Sequence, residues 1–182
     1  MDPAASREWL EFIESWHEFF LMAGTAAVTL AGLLFVALSL HIEALIHEER
    51  EHLLALARAT LFSFTMVLVL SLMMLVPLQR QRLVAFELMV VGGNFILLTL
   101  RQLRWKPKKE HAGFSAGLMR RRMIFPMVAY SLVLFSGLML FLTGLPEWMY
   151  FVIGAVCMVL GNAAGTSWDL LVRVAQMKRD AA

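Results

Sequence analysis

Long apolar runs separated by short polar stretches dominate this chain. Five of the runs approach or exceed the roughly 20 residues that a helix needs to cross the hydrocarbon core of a membrane. The runs cover residues 19–40, 53–78, 83–100, 123–142 and 148–167. The turn sequence TGLPE, residues 143–147, separates the last two runs, because glycine and proline interrupt a helix. The pattern therefore predicts five spanning helices rather than four.

Composition favours an all-α, polytopic transmembrane helix bundle. The 182 residues are 60% hydrophobic and 16% charged, whereas a soluble domain is nearer half apolar and a quarter charged. The mean hydropathy is +0.71. We expect the bundle to occupy residues 19–176, followed by a short cytoplasmic tail, residues 177–182. No basic segment with a small-residue cleavage site precedes the first run, so we expect no cleaved signal peptide.

Basic residues are distributed unevenly between the two sides that five spans define. Three of the sixteen lysines and arginines fall on the side of the N-terminus, and thirteen fall on the other side. Cytoplasmic loops carry the excess of Lys and Arg. We therefore expect the N-terminus outside, the C-terminus inside, and residues 101–123 as a basic cytoplasmic loop.

That basic loop is a candidate for binding anionic lipid head groups, which attract juxtamembrane lysines and arginines. Its candidate residues are Arg104, Lys106, Lys108, Lys109, Arg120, Arg121 and Arg122. The alternative is that the loop only sets the orientation of the chain. Nucleic acid is not an expected partner, because no basic domain extends beyond the loop.

The first 18 residues form an acidic and aromatic segment. Trp9, Phe12, Ile13, Trp16 and Phe20 recur at spacings of three and four, so they share one helical face, and carboxylates occupy the other. Two interpretations stay open: a helix lying at the outer membrane interface, or the first turns of a long first helix.

A line of small and hydroxylated residues runs along the first predicted span. At about 100° per residue, its members lie within about 40° of one direction. They are Glu18, Thr25, Thr29, Gly32, Val36, Ser39 and Glu43. A hydroxylated face with a carboxylate at each end is typical of a cation path. Small and hydroxylated residues also form contacts between membrane helices, so packing is the alternative.

Polar residues recur on single faces of other spans as well. The intramembrane polar candidates are Glu87, Asn94, Asn162, Asp169 and Arg173. Such residues usually face a bundle interior or a wet cavity. The glycine pairs Gly92–Gly93 and Gly161–Gly165 are expected to allow close helix approach. A weaker hydroxyl stripe, Thr60, Ser63 and Ser71, lies in the second span.

The segment HIEALIHEEREH, residues 41–52, follows the first span and concentrates histidines and carboxylates. Its candidate sensor or gate residues are His41, His47, Glu51 and His52. Glu43, His47 and Glu51 recur every four residues, which makes them weak metal-ligand candidates. Three interpretations stay open: a solvated elbow paired with the basic loop, a pH-sensing or ion-sensing mouth, and a metal site.

Four stretches suggest a family. They read GTAAVTLAGLLFVALSLHIEAL from Gly24, RATLFSF from Arg58, SLMMLVPLQ from Ser71 and SWDLLVRVA from Ser167. Together they resemble a group of small multi-pass bacterial inner-membrane proteins that often carry LVPxQ after the second span. No activity is established for that group. The resemblance therefore implies a bacterial inner-membrane location and nothing about chemistry.

The functional expectation is a homo-oligomeric, cation-conducting channel whose first helix lines the path, because five short helices alone enclose little space. One alternative is a non-conducting regulatory or scaffold protein that binds a membrane-protein partner. Another is a metal-dependent or lipid-modifying enzyme around His41, His47 and Glu51. We expect that the protein is not an enzyme and binds no cofactor, since no phosphate loop or catalytic-triad spacing is present in the sequence.

Overall fold

The parts of the chain that the structure describes are helical. A computed structural model describes the backbone of residues 3–40, 51–77, 79–104 and 116–180, and the side chains of residues 7–40, 54–77, 79–101 and 124–172. Within these ranges it contains six α-helices, one short 3-10 helix and no strand. The α-helices are α1 (Pro3–Ser15), α2 (His17–Leu40), α3 (Glu51–Met74), α4 (Gln81–Arg104), α5 (Ala116–Thr143) and α6 (Met149–Asp180).

Five of the described helices, α2 to α6, contain segments long and apolar enough to cross a membrane. This confirms the expected all-α class and the expected number of long apolar helices. Helical bonding satisfies the interior backbone N–H and C=O groups within each segment, apart from the one bond that Pro126 removes in α5, and this is the condition for placing a chain in hydrocarbon.

A tight turn separates α5 from α6. Gly144 has a φ of +69°, which glycine adopts without a steric penalty. Its N–H donates to the carbonyl of Leu140 at 3.0 Å and caps the end of α5. Pro146 then opens the 3-10 helix Pro146–Trp148, and the indole N–H of Trp148 donates to the Thr143 hydroxyl at 2.9 Å. The TGLPE sequence thus divides the last apolar region into two helices.

The closest helix contact joins α4 to α5. A Cβ atom added at Gly92 would lie 2.7 Å from the backbone N of Leu134. A Cβ atom added at Gly137 would lie 2.8 Å from the Cβ of Leu88. Only glycine fits at these two positions, so their absent side chains set the distance between the helices. Gly93 differs from its neighbour, because nothing lies within 4 Å of a Cβ atom there.

Helix α3 is central and α2 is peripheral. Half of the apolar segment of α3 is buried (50%), against 28% for α2. Helix α3 packs against α2, α4 and α6, whereas α2 packs chiefly against α3. At that interface a Cβ atom on Gly24 would lie 3.0 Å from the Cβ of Ser71. The interior therefore lies between α3, α4, α5 and α6.

Helix α1 is separated from α2 by a break at Trp16 and packs on one end of the bundle. The indole N–H of Trp9 donates to the backbone carbonyl of Gln79 at 2.9 Å. Phe12 and Trp16 make edge-to-face ring contacts with Tyr150 at the start of α6. The aromatic face predicted for this segment is thus the face that contacts the bundle. Its position at a membrane interface stays a prediction.

Candidate functional site

The hydroxyl line on the first span lies on the outside of the bundle. We call its described members, Glu18, Thr25, Thr29, Gly32, Val36 and Ser39, the α2 stripe, and all six are exposed. The buried residues of α2 include Phe20, Ala23, Ala27 and Leu34. At about 100° per residue, the two sets centre on opposite sides of the helix. The stripe therefore lies on the side of α2 opposite its buried residues.

Each hydroxyl of the α2 stripe donates its hydrogen to a carbonyl one turn earlier on the same helix. The bonds run from Thr25 to Leu21 at 2.8 Å, from Thr29 to Thr25 at 2.8 Å, and from Ser39 to Phe35 at 2.9 Å. The oxygen lone pairs remain available to a neighbour. Nothing lies within 4 Å of a Cβ atom built on Gly32, so the middle of the stripe faces open space.

A second polar region lies inside the bundle, between α3, α4, α5 and α6. A cavity of about 30 Å³, which we call the core cavity, is partly open there. Its polar lining consists of Thr60, Ser63, Thr99, Tyr130, Asn162 and Thr166. A single water molecule needs on the order of 10–15 Å³ by this measure. The core cavity therefore has the size of one or two waters or one small ion.

The hydroxyls of the core cavity are also bonded to their own helices. The bonds run from Thr60 to Leu56 at 2.9 Å, Ser63 to Ala59 at 3.2 Å, Thr99 to Phe95 at 2.8 Å, and Thr166 to Asn162 at 2.8 Å. The hydroxyl oxygens of Ser63 and Tyr130 lie 3.3 Å apart and link α3 to α5. Tyr130 is 2% exposed, so its polar end is held inside the bundle.

Gln79 connects three elements at the opposite end of the bundle. Its side-chain Nε2 donates to the Met73 carbonyl at 2.7 Å and to Oε2 of Glu87 at 3.4 Å. Its backbone carbonyl accepts the bond from Trp9. Gln79 thus ties α1, the end of α3 and α4 together. It is also the glutamine of the LVPLQ stretch that carries the family resemblance.

The predicted intramembrane polar residues do not form one cluster. Glu87 is half-buried beside Gln79, and Asn162 lines the core cavity. Asn94 is exposed, and Asp169 is half-buried with an interaction partner. The pair Gly161 and Gly165 is exposed, with nothing within 4 Å of a Cβ atom at either glycine. That pair therefore makes no close helix contact within the described part of this chain.

The remaining candidates lie outside the described side chains and stay predictions. They are His41, Glu43, His47, Glu51, His52, Arg104, Lys106, Lys108, Lys109, Arg120, Arg121, Arg122 and Arg173. The sensing, metal and head-group hypotheses therefore rest on the sequence alone.

Sequence reasoning missed three residues of these polar regions: Gln79 at one end, and Thr99 and Tyr130 in the core cavity. It placed Trp9 on an aromatic face without its hydrogen bond to Gln79. Tyr130 offered a signal, because it is one of only two tyrosines and lies within an apolar run. A phenol in such a run needs a polar partner when it is buried. The sequence pattern did not identify Ser63 as that partner, because Ser63 lies 67 positions from Tyr130 in the chain.

The fold indicates a multi-pass membrane protein, on the basis of its five long apolar helices. Comparison with known protein families, with curated proteins and with solved structures finds no match. Function is therefore argued from the polar regions themselves.

Proposed function

We propose that the protein is a homo-oligomeric channel of the bacterial inner membrane that conducts cations along the α2 stripe. The observation that carries this proposal is the direction of the stripe, which lies opposite the face that packs on α3. A polar line through a membrane helix is unfavourable against lipid and usually faces a wet path or another helix. In an oligomer, the stripes of several copies would line a shared central path.

The interior of one chain supports the need for several copies. Leu70, Val84, Val133 and Val159 are fully buried and fill the bundle between its ends. The core cavity measures only about 30 Å³. A conducting path of bundle length does not fit in this space, so it has to lie between subunits. The peripheral position of α2 suits it for such an interface.

The chemistry of the stripe favours cations. Its hydroxyl hydrogens are donated to carbonyls of α2, so the oxygen lone pairs face outward. Glu18 adds an exposed carboxylate at one end, and Glu43, outside the described residues, follows on the same line in the sequence. Oxygen dipoles and carboxylate rings are the groups that attract cations in selective pores.

The proposed orientation, with the N-terminus outside, rests on the three-to-thirteen distribution of basic residues. The inner-membrane location rests on the sequence resemblance. In this arrangement α1, the turn at Gly144 and Gln79 lie at the outer end of the bundle. The basic loop would then meet the anionic inner leaflet.

The test is ion flux into proteoliposomes that contain the purified protein, across a panel of cations and anions. We expect selective cation flux that falls about tenfold in Thr29→Leu, which corresponds to about 1.4 kcal/mol of barrier. Thr65→Leu is the matched control, because Thr65 is an exposed hydroxyl on α3 with the same bond to its own helix, 2.9 Å to Leu61. The control should conduct normally.

Absence of flux from a verified oligomer across the panel would contradict the proposal. It would favour the scaffold hypothesis, in which a partner protein covers the α2 stripe. Equal loss of flux in both variants would also contradict it, because Thr29 would then have no special position.

A further inference from the structure

Most of the polar side chains that line the core cavity present oxygen lone pairs rather than hydrogen-bond donors. The hydroxyls of Thr60, Ser63, Thr99 and Thr166 each donate their hydrogen to a carbonyl of their own helix. A hydroxyl has only one hydrogen to donate but two lone pairs to offer. These four hydroxyls can therefore act only as hydrogen-bond acceptors toward the cavity.

Tyr130 and Pro126 extend this acceptor character. Because Ser63 donates to Ala59, the 3.3 Å contact with Tyr130 is satisfied when the phenol donates to Ser63. The phenol oxygen is then left as an acceptor. Pro126 also lines the cavity and has no N–H. Its backbone nitrogen therefore adds no hydrogen-bond donor to the lining.

The part of the lining that the structure describes is neutral as well as rich in acceptors. The polar side chains of the described lining are hydroxyls and one amide, on Asn162, which offers one acceptor oxygen and one NH₂ donor group. Calcium and magnesium sites generally use carboxylates, and none is present among the described residues that line this cavity. Neutral oxygen dipoles are instead the groups that replace the hydration shell of a monovalent cation in potassium-selective pores.

We propose that the core cavity binds one small monovalent cation, of the class Na⁺, K⁺ or ammonium, in each subunit. Such a cation can be coordinated by several lining oxygens, whereas a water molecule can donate only two hydrogens. The volume of about 30 Å³ admits one such ion. The site is formed by α3, α4, α5 and α6, so it does not depend on conduction along the α2 stripe.

The test is thermal unfolding of the purified full chain in detergent, with N-methyl-D-glucamine chloride as the reference salt. That organic cation is too large for the cavity. NaCl, KCl and NH₄Cl replace it at constant ionic strength. We expect at least one of the three to raise the midpoint saturably, by about 3 °C once its concentration exceeds the dissociation constant tenfold.

Variants locate the bound ion. Thr166→Val removes one lining oxygen with little change of shape and should abolish the shift. Thr65→Val and Ser131→Ala are matched controls, because both hydroxyls are exposed and bond to their own helices at 2.9 Å. Both controls should keep the shift. Thr29→Leu should keep it too, which separates this site from the α2 stripe.

Two results would overturn the proposal. Equal melting in all four salts would mean that the cavity holds no ion. A shift that survives Thr166→Val, or one that disappears in Thr29→Leu instead, would place the ion elsewhere. If Thr166→Val does not fold, Ser63→Ala replaces it. Equilibrium binding of radioactive Na⁺ and Rb⁺ to the wild-type chain then gives the stoichiometry. We expect one ion per subunit for at least one of the two.

Discussion

Hydroxyl side chains on α2 and on α3 make the same local bond but lie in opposite surroundings. Thr29 on α2 donates to a carbonyl one turn earlier at 2.8 Å, and Thr60 on α3 does the same at 2.9 Å. Thr29 is exposed, whereas Thr60 is 4% exposed and lines the core cavity. A hydroxyl whose hydrogen bonds to its own helix can therefore lie either on the exposed surface or in the buried interior. Its surroundings depend on which face of the helix carries the close contacts.

Those close contacts come from residues with little or no side chain. Helix α2 packs through Ala23, Gly24 and Ala27, which leaves its hydroxyls on the far side. Helix α3 packs on several sides and encloses the hydroxyls of Thr60, Ser63 and Ser71, whereas Thr65 stays exposed. Single substitutions at these contacts are therefore expected to differ in their effect on stability.

The largest effect is expected at the α4–α5 contact. Gly92→Ala places a Cβ atom 2.7 Å from the backbone N of Leu134, so the helices have to separate. We expect a loss of about 2–3 kcal/mol of unfolding free energy, typical of overpacking. Gly93→Ala is the control, because its Cβ atom meets nothing within 4 Å. Denaturant titration in mixed micelles measures both, and equal stability of the two variants would contradict the described packing.

A smaller effect is expected where α1 meets the bundle. Trp9→Phe keeps an aromatic ring but removes the 2.9 Å bond to the Gln79 carbonyl. We expect a loss of about 1–2 kcal/mol, because a buried carbonyl is left without its donor. Trp168→Phe is the control, since Trp168 is 69% exposed. If the same titration gives Trp9→Phe wild-type stability, α1 does not depend on this bond.

The smallest of the three stability effects is expected in the core cavity. Tyr130→Phe removes the 3.3 Å contact with Ser63, which is long for a hydroxyl pair, so we expect a loss of about 0.5–1 kcal/mol. Tyr150→Phe is the control on an exposed tyrosine. Unfolding measured without Na⁺, K⁺ or ammonium isolates the protein's own bond. A loss above about 3 kcal/mol would mean that the phenol has a larger structural role than this contact.

The helices could be predicted from the sequence because each depends on local information. Apolar runs of spanning length indicate helices, and the glycine and proline between Thr143 and Glu147 mark the turn between α5 and α6. Helical periodicity also placed Thr25, Thr29 and Gly32 on one face. It could not give the direction of that face, because lipid, a second copy and the bundle interior all accept such residues.

The core cavity and the α1 contact could not be predicted for a different reason. Both join residues that are far apart in the chain: Ser63 and Tyr130 are separated by 67 positions, and Trp9 and Gln79 by 70. Periodicity within one helix carries no information about which face of another helix it meets. The weak hydroxyl stripe of α3 was visible in the sequence, but its partners on α5 and α6 became evident only from the packing.

The central claim is that the α2 stripe faces water between subunits, and a cysteine scan of residues 25–36 tests it most directly. The native Cys157 is first replaced by serine. Each variant in proteoliposomes is then treated with a positively charged, membrane-impermeant thiol reagent while cation flux is recorded. We predict labelling and block with helical periodicity, strongest at Thr25, Thr29, Gly32 and Val36. Uniform protection along α2 would contradict the account. So would strongest labelling at the packed positions Ala27 and Leu34.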